Sequence, residues 1–98
     1  MKRQNAGEIN REIELNPDNP VPYNKRGNIK FSLADYKGAI KDYTKAIELD
    51  PKFAEAYYRR GNAKHASGDK QGALEDLKKA ADMGHQPAAE ELKNIEEE

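Results

Sequence analysis

The chain has no cysteine and no tryptophan, and only 7% of its residues are aromatic. Without cysteine there is no disulfide frame, no thiolate nucleophile and no thiolate metal site. Apolar residues are scarce too, at 36% of the chain where an ordinary globular domain has roughly 45–50%. Charged residues also reach 36%, yet the two signs cancel to a net −1, which gives no overall pull toward nucleic acid or an anionic membrane. No apolar run approaches the ~20 residues that span a bilayer. The amino-terminal Met1-Lys2-Arg3-Gln4-Asn5 leads into no stretch of signal-peptide type. These absences set the expectation of a cytoplasmic protein with neither membrane nor nucleic-acid partners. They leave two readings, a disordered chain or a thin helical array that buries only narrow stripes, and periodicity decides between them.

What is present is an internal repeat. Laying residues 20–53 on residues 54–87 without a gap brings Tyr23 onto Tyr57, Arg26 onto Arg60, Gly27 onto Gly61, Asn28 onto Asn62 and Lys30 onto Lys64. In the same register Asp35, Gly38, Ala39, Asp42, Lys45 and Ala46 meet Asp69, Gly72, Ala73, Asp76, Lys79 and Ala80. The offset also reaches backward, setting Ile13-Glu14-Leu15-Asn16-Pro17 on Ile47-Glu48-Leu49-Asp50-Pro51. The domain is therefore read as a half repeat over 1–17, full repeats over 20–53 and 54–86, and a capping helix over 87–98.

Each unit reads as two helices. Asn19 and Pro20 supply an N-cap and an early helical proline for a segment from about Val21 to Leu33. Asp35 caps a second helix from about Tyr36 to Leu49, where Ile40, Tyr43 and Ile47 with the small Ala39 and Ala46 form one apolar stripe. Pro51 ends it, because the residue before a proline is pushed out of the α region. The second unit repeats the plan with Asp69 as cap and Leu74, Leu77 and Ala81 on the stripe. It closes on Gly84 as a left-handed glycine, with Pro87 just inside the last helix. Gly27 and Gly61 each cost about 1 kcal/mol against alanine inside a helix, so their recurrence points to close approach of a neighbouring helix. The fold class expected is all-α, a short α-solenoid of antiparallel helix–turn–helix units.

Unit length and pattern resemble the tetratricopeptide repeat, W-x₂-L-G-x₂-Y…A-x₃-F…P over 34 residues. The matching residues are Tyr23, Gly27, Ala39, Tyr43, Ala46 and Pro51, then Tyr57, Gly61, Ala73, Leu77 and Ala80. The chain departs where the family has leucine before the glycine and an aromatic after it. Arg26 and Arg60 hold the first of these positions, and Lys30 and Lys64 the second. Both units also carry an aspartate on the facing helix, sixteen residues after the arginine, so Arg26–Asp42 and Arg60–Asp76 are expected to be interhelical ion pairs.

Little here could run a reaction. His65 and His85 lie in different elements, and neither has a second ligand at metal-binding spacing. Ser32, Ser67 and Thr44 sit in no nucleophile-elbow or phosphate-cradling context, and Gly38 and Gly72 are each followed by alanine inside a helix. The acidic Glu96-Glu97-Glu98 reads as a solvated end. No enzyme, metal or cofactor is expected. Lys25, Arg26, Lys30, Arg59, Arg60 and Lys64 fall on first helices, but acids are interleaved with them and no base-stacking aromatic array accompanies them.

The resemblance implies a concave groove lined by the first helix of each pair, used to bind protein. It places Val21, Asn24, Lys25, Asn28 and Phe31 there from the first unit, and Glu55, Tyr58, Arg59, Asn62 and His65 from the second. Leu92 and Lys93 join from the last helix. Asn28 and Asn62 suit a peptide backbone, while Lys25, Arg59 and Lys93 suit acidic groups, so the partner expected is a protein or peptide, acidic or with a free C-terminus. One subfamily grips the terminal carboxylate of heat-shock chaperones with a lysine–asparagine clamp, and the fit to it is partial. Asn28 matches the asparagine, but Asn24 stands where the first lysine belongs and Glu55 or Ala89 where a later one does. Arg59 or Lys93 takes the place of the clamp arginine, depending on which unit is counted third. A second expectation concerns the ends. Ala88, Leu92 and Ile95 face inward from the capping helix, whereas a single amino-terminal helix with Ile9, Ile13 and Leu15 covers the first unit. Its outer side, left sticky, would make the chain a self-assembly module, a homo-oligomer or a piece packed within a larger protein.

Overall fold

In the computed structural model residues 5–98 are described; Met1 to Gln4, which open the half repeat and the amino-terminal stretch read above, lie outside the described residues. The described residues form six helices and no strand, giving the all-α solenoid expected from the repeat. They are α1 (Ala6–Leu15), α2 (Pro20–Ser32), α3 (Tyr36–Leu49), α4 (Ala54–Ala66), α5 (Lys70–Asp82) and α6 (Gln86–Glu96). Packing runs from each helix to the next in sequence, and the tightest pairs are the hairpins α2–α3 and α4–α5.

The helix starts follow from short polar side chains that accept a backbone N–H otherwise left without a partner. Asn5 accepts from Glu8, Asn19 from Val21, Asp35 from Gly38 and Asp69 from Gly72, all at 2.9–3.1 Å. The last helix is capped by His85, whose Nδ1 accepts from Ala88 N at 3.1 Å. Phe53 precedes α4 without a side-chain cap bond; it packs instead on the buried cluster of Tyr23, Ala46 and Ala56.

The turns that close α4 and α5 use glycine in the left-handed region, Gly68 at φ +95° and Gly84 at φ +87°, while the turn after α2 places Ala34 at φ +61°. An L-residue pays about 1–2 kcal/mol of steric strain there. Ala34→Gly is therefore expected to stabilise the protein by about 0.5–1 kcal/mol, after the extra entropy glycine brings to the unfolded chain. In a thermal melt this is a rise of about 3–6 °C, and a midpoint unchanged or lowered would refute the strain.

Small residues set the helix spacing. A Cβ built on Gly27 would lie 2.6 Å from Cε1 of Tyr43, and one on Gly61 3.0 Å from Cγ of Leu77. Tyr43 and Leu77 are themselves fully buried, among Ala39, Ala46, Ala63, Ala73 and Ala80. Ala88 and Ile95 bury against Leu77 and Ala80, with Leu92 part-buried beside them, so α6 does seal the carboxyl side of α5. At the amino side Ile9 is buried and Ile13 packs on the Tyr23 cluster. Leu15 departs from the expectation that it covers the first unit. As the last residue of α1 it lies beyond the end of the packed seam and is 74% exposed.

Candidate functional site

Each hairpin is crossed by a polar network repeated in both units. Nε and Nη2 of Arg26 donate to the two carboxylate oxygens of Asp42 at 2.8 Å each, and Arg60 does the same to Asp76. This is the bidentate fork that suits guanidinium to carboxylate. The lysines at the aromatic position of the pattern complete a triad, with Lys30 Nζ 3.0 Å from Asp42 and Lys64 Nζ 3.0 Å from Asp76. The remaining arginine nitrogen reaches backward, to Asn10 on α1 at 2.9 Å and to Thr44 on α3 at 3.2 Å. Each guanidinium also lies 5.7 Å from a ring centroid, Tyr23 or Tyr57. Asp42 and Asp76 are buried, at 3% and 5% exposure, and the hydrogen bonds that the arginines donate to them hold both guanidinium pKa values above their ordinary level. The signal for the lysines was available in the sequence, since they recur at the same offset as the arginines.

Between α2 and α4 the structure gathers Asn28, Phe31, Arg59 and Asn62 around one pocket of about 180 Å³, with Ser32 and Tyr43 as further walls. The hydroxyl of Tyr43 donates to Oδ1 of Asn28 at 2.7 Å. Burial pushes the phenol pKa up to about 12, so the proton it donates is retained. With its carbonyl oxygen taken, Asn28 keeps its two N–H donors for another acceptor. The stripe position of Tyr43 marks it as a core residue, and its hydroxyl gives it this second role.

The other expected groove residues are dispersed. Asn24 is buried, at 7% exposure, and its Oδ1 meets no hydrogen-bond partner among the described residues. An orphaned buried acceptor costs about 1–3 kcal/mol, and the place where the clamp family has a cation is thus neutral and enclosed. Lys25 and Val21 line a separate cleft of about 320 Å³ with Glu12, Leu15, Asn16, Asn19 and Pro22. Lys93 is exposed on α6. His65 Nε2 lies 3.1 Å from the Glu98 carboxylate, which also approaches Lys70 at 3.9 Å, so this acidic residue reaches back to the array while remaining exposed.

Glu55 forms a compact cluster with Tyr58, Arg59 and His85. Its Oε2 accepts from Arg59 Nε at 2.8 Å and its Oε1 lies 3.1 Å from His85 Nε2. The Tyr58 and His85 rings are 4.7 Å apart, and the Arg59 guanidinium carbon is 5.4 Å from the Tyr58 centroid. Burial alone would raise the Glu55 carboxyl, but the hydrogen bonds from Arg59 and His85 outweigh it and hold the pKa below the usual carboxylate value. Among the described residues no group of His, Asp and Glu could hold a metal ion, and no helix is long and apolar enough to cross a membrane. A further cavity of about 430 Å³ lies over Tyr23, Arg26, Lys41, Asp42, Thr44, Lys45 and Glu48, beside the first triad.

Known proteins supply the comparison for this geometry. A sequence profile described as TPR repeat matches residues 27–68, and one described as tetratricopeptide repeat matches residues 54–83. No curated protein sequence gave a match. Among solved structures, the TPR2B domain of yeast Sti1, in a complex with pHsp70, is 30% identical, over 91% of this chain and 74% of that one, with a TM-score of 0.81. The second TPR domain of human RPAP3, in complex with the HSP70 peptide SGPTIEEVD, is 28% identical over 92% and 77% of the two chains, with a TM-score of 0.85. The first TPR of Spaghetti (RPAP3), bound to the HSP90 peptide SRMEEVD, is 26% identical over 93% and 74%, with a TM-score of 0.85. By its repeat register, its helical array and this likeness over most of both chains, the protein belongs to the tetratricopeptide repeat family.

Proposed function

We propose that this chain is a non-catalytic scaffold that holds an extended peptide segment of a partner protein along the face lined by α2, α4 and α6. The observation that carries the reading is the pocket shared by Asn28, Phe31, Tyr43, Arg59 and Asn62. It offers amide groups for a peptide backbone, aromatic walls for one apolar side chain and a single cation. Related domains bound to the peptides SGPTIEEVD and SRMEEVD support it. The ligand differs from theirs in emphasis, because Asn24 supplies no charge for a terminal carboxylate and Glu55 already occupies Arg59. A second reading, self-assembly, would draw on Leu15, 74% exposed at the amino end. The exposed charges there and on α6 are of both signs, Glu8, Arg11 and Glu14 against Glu90, Lys93 and Glu96, and neither drive nor oppose end-to-end stacking.

The test is an array of nonapeptides that includes SGPTIEEVD in free-acid and C-terminally amidated forms. Peptides bound by the wild type are expected to bind the Asn28→Ala/Asn62→Ala variant at least tenfold more weakly, since each amide lost removes about 1 kcal/mol of hydrogen bonding. Binding indifferent to both substitutions, or no binding to any peptide, would overturn the proposal. Equal affinity for the acid and the amide would show that a terminal carboxylate is not what the groove reads.

A further inference from the structure

We infer that Glu55 acts as an internal charge gate, occupying Arg59 and His85 from within the protein and so setting which ligand charge the groove accepts. The inference rests on the peptide-groove reading and adds the specificity of that groove. Its first support is geometric. Among the described residues Arg59 is the one cation lining the pocket with Asn28, Phe31 and Asn62, and its Nε donates to Glu55 at 2.8 Å. The Glu55 side chain is one-third exposed, so an acidic ligand group approaching the guanidinium would meet a second carboxylate held in place beside it. Like charges at that separation repel unless one is neutralised. A neutral or amide-bearing ligand meets no such opposition.

The second support comes from the partner at the other oxygen. His85 Nδ1 accepts a hydrogen bond from Ala88 N, so in the neutral ring the proton sits on Nε2 and is directed to Glu55. Glu55 is thereby anchored at both oxygens, one on α4 and one at the start of α6, with the Tyr58 ring tilted against the imidazole at 4.7 Å. A free surface glutamate would swing aside for a ligand. This one is fixed.

The third support is the repeat itself. Residues that hold the array together recur, as Arg26, Lys30 and Asp42 do in Arg60, Lys64 and Asp76. Glu55 does not recur, for its counterpart in the first unit is Val21, and that of Arg59 is Lys25. The contact of Glu55 with His85 ties α4 to the start of α6, but its bond to Arg59 stays within α4 and joins no two helices.

Glu55→Gln removes the charge and keeps an oxygen to accept from His85, so the cap of α6 survives. Two probes separate the outcomes. The first is acetate, followed by the NMR signal of the Arg59 Nε–H. It is expected to shift on titration in Glu55→Gln and to stay still in the wild type. Equal movement in both proteins, or in neither, overturns the gate whatever peptides do. The second is a pair of peptides, SGPTIEEVD and acetylated, amidated SGPTIQQVN. Affinity for the acidic peptide is expected to rise about tenfold in Glu55→Gln and to stay within twofold for the neutral one, with the gain lost in Glu55→Gln/Arg59→Gln. A change by the same factor for both peptides, or a gain that persists without Arg59, also overturns the gate. Failure of both proteins to bind either peptide, with the acetate response intact, removes the peptide as ligand and leaves the gate standing.

Discussion

Asp76→Ala is expected to destabilise the protein by about 3 kcal/mol, because it strands two cations, Arg60 and Lys64, that the fold has drawn from solvent. Removing one member of a buried pair typically costs about 3–5 kcal/mol. The lower end applies because the Arg60 and Lys64 side chains remain 17% and 22% exposed. For a domain whose total stability is of the order of 5–15 kcal/mol, this lowers the thermal midpoint by about 10–20 °C. The triad as a whole is a different matter. Taking two cations and a carboxylate out of water offsets most of their mutual attraction, and a well-packed apolar replacement is often neutral or better. Arg60→Leu/Lys64→Tyr/Asp76→Leu restores the residues the family pattern has at the first two positions, and is expected to melt within about 5 °C of the wild type. Urea or thermal denaturation of the two variants checks both statements. A mild Asp76→Ala, or a triple variant as weak as the single one, would show that the triad does not work as an interlocked unit.

Gly27→Ala is the second large effect, and here two contributions oppose. Alanine gains about 1 kcal/mol of helix propensity over glycine. Its Cβ would lie 2.6 Å from the Tyr43 ring, and that ring is buried between helices with its hydroxyl bonded to Asn28, so it cannot turn away freely. Overpacking of this kind costs about 1–3 kcal/mol, and relief requires α2 and α3 to move apart, which also opens the Asn28 pocket. The net expectation is a loss of up to about 2 kcal/mol, together with loss of peptide binding. Adding Tyr43→Leu, the residue type found at the equivalent Leu77, should recover most of the stability and none of the Tyr43–Asn28 bond. Stability recovered without binding is the expected pattern. A Gly27→Ala protein more stable than the wild type would show that the two helices have room to spare.

The helices were legible because their ends are written in local chemistry. Asp35 and Asp69 cap within three residues of themselves, and Pro51 and Gly84 stop chains by backbone constraint alone. The arginine–aspartate positions were legible for a different reason: the repeat prints the same pair twice. What escaped was whatever depended on three-dimensional neighbours unique to one unit. Ala34 takes a backbone conformation that its own type disfavours, and only the turns at Gly68 and Gly84 show by comparison what the position demands. Asn24 was placed in the groove by position along α2, yet packing encloses it. Histidine is not among the usual cap residues, so nothing local marked His85 as the start of α6, and its bond to Glu55 spans thirty residues. Lys25 and Arg59 hold equivalent positions, but one lines a cleft beside Leu15 and the other the pocket beside Asn62, because the helices flanking them differ.

The backward reach of the two arginines has a consequence for how the array comes apart. Arg26 ties its own hairpin to Asn10 of the helix before it, and Arg60 does so to Thr44, so each guanidinium is a rivet through three successive helices. In a linear array whose contacts run only between neighbours, cooperativity is whatever the junctions transmit. Losing α1 uncovers the Ile9 and Ile13 contacts and frees one nitrogen of Arg26 but leaves its fork to Asp42 whole, so the amino end can open without undoing a hairpin. Opening α3 instead takes both carboxylate acceptors from Arg26, so the first hairpin is undone, while Arg60 loses only its Thr44 contact and keeps its fork to Asp76. The fork of each hairpin therefore fails with its own second helix, and the backward nitrogen passes only part of that loss to the next unit.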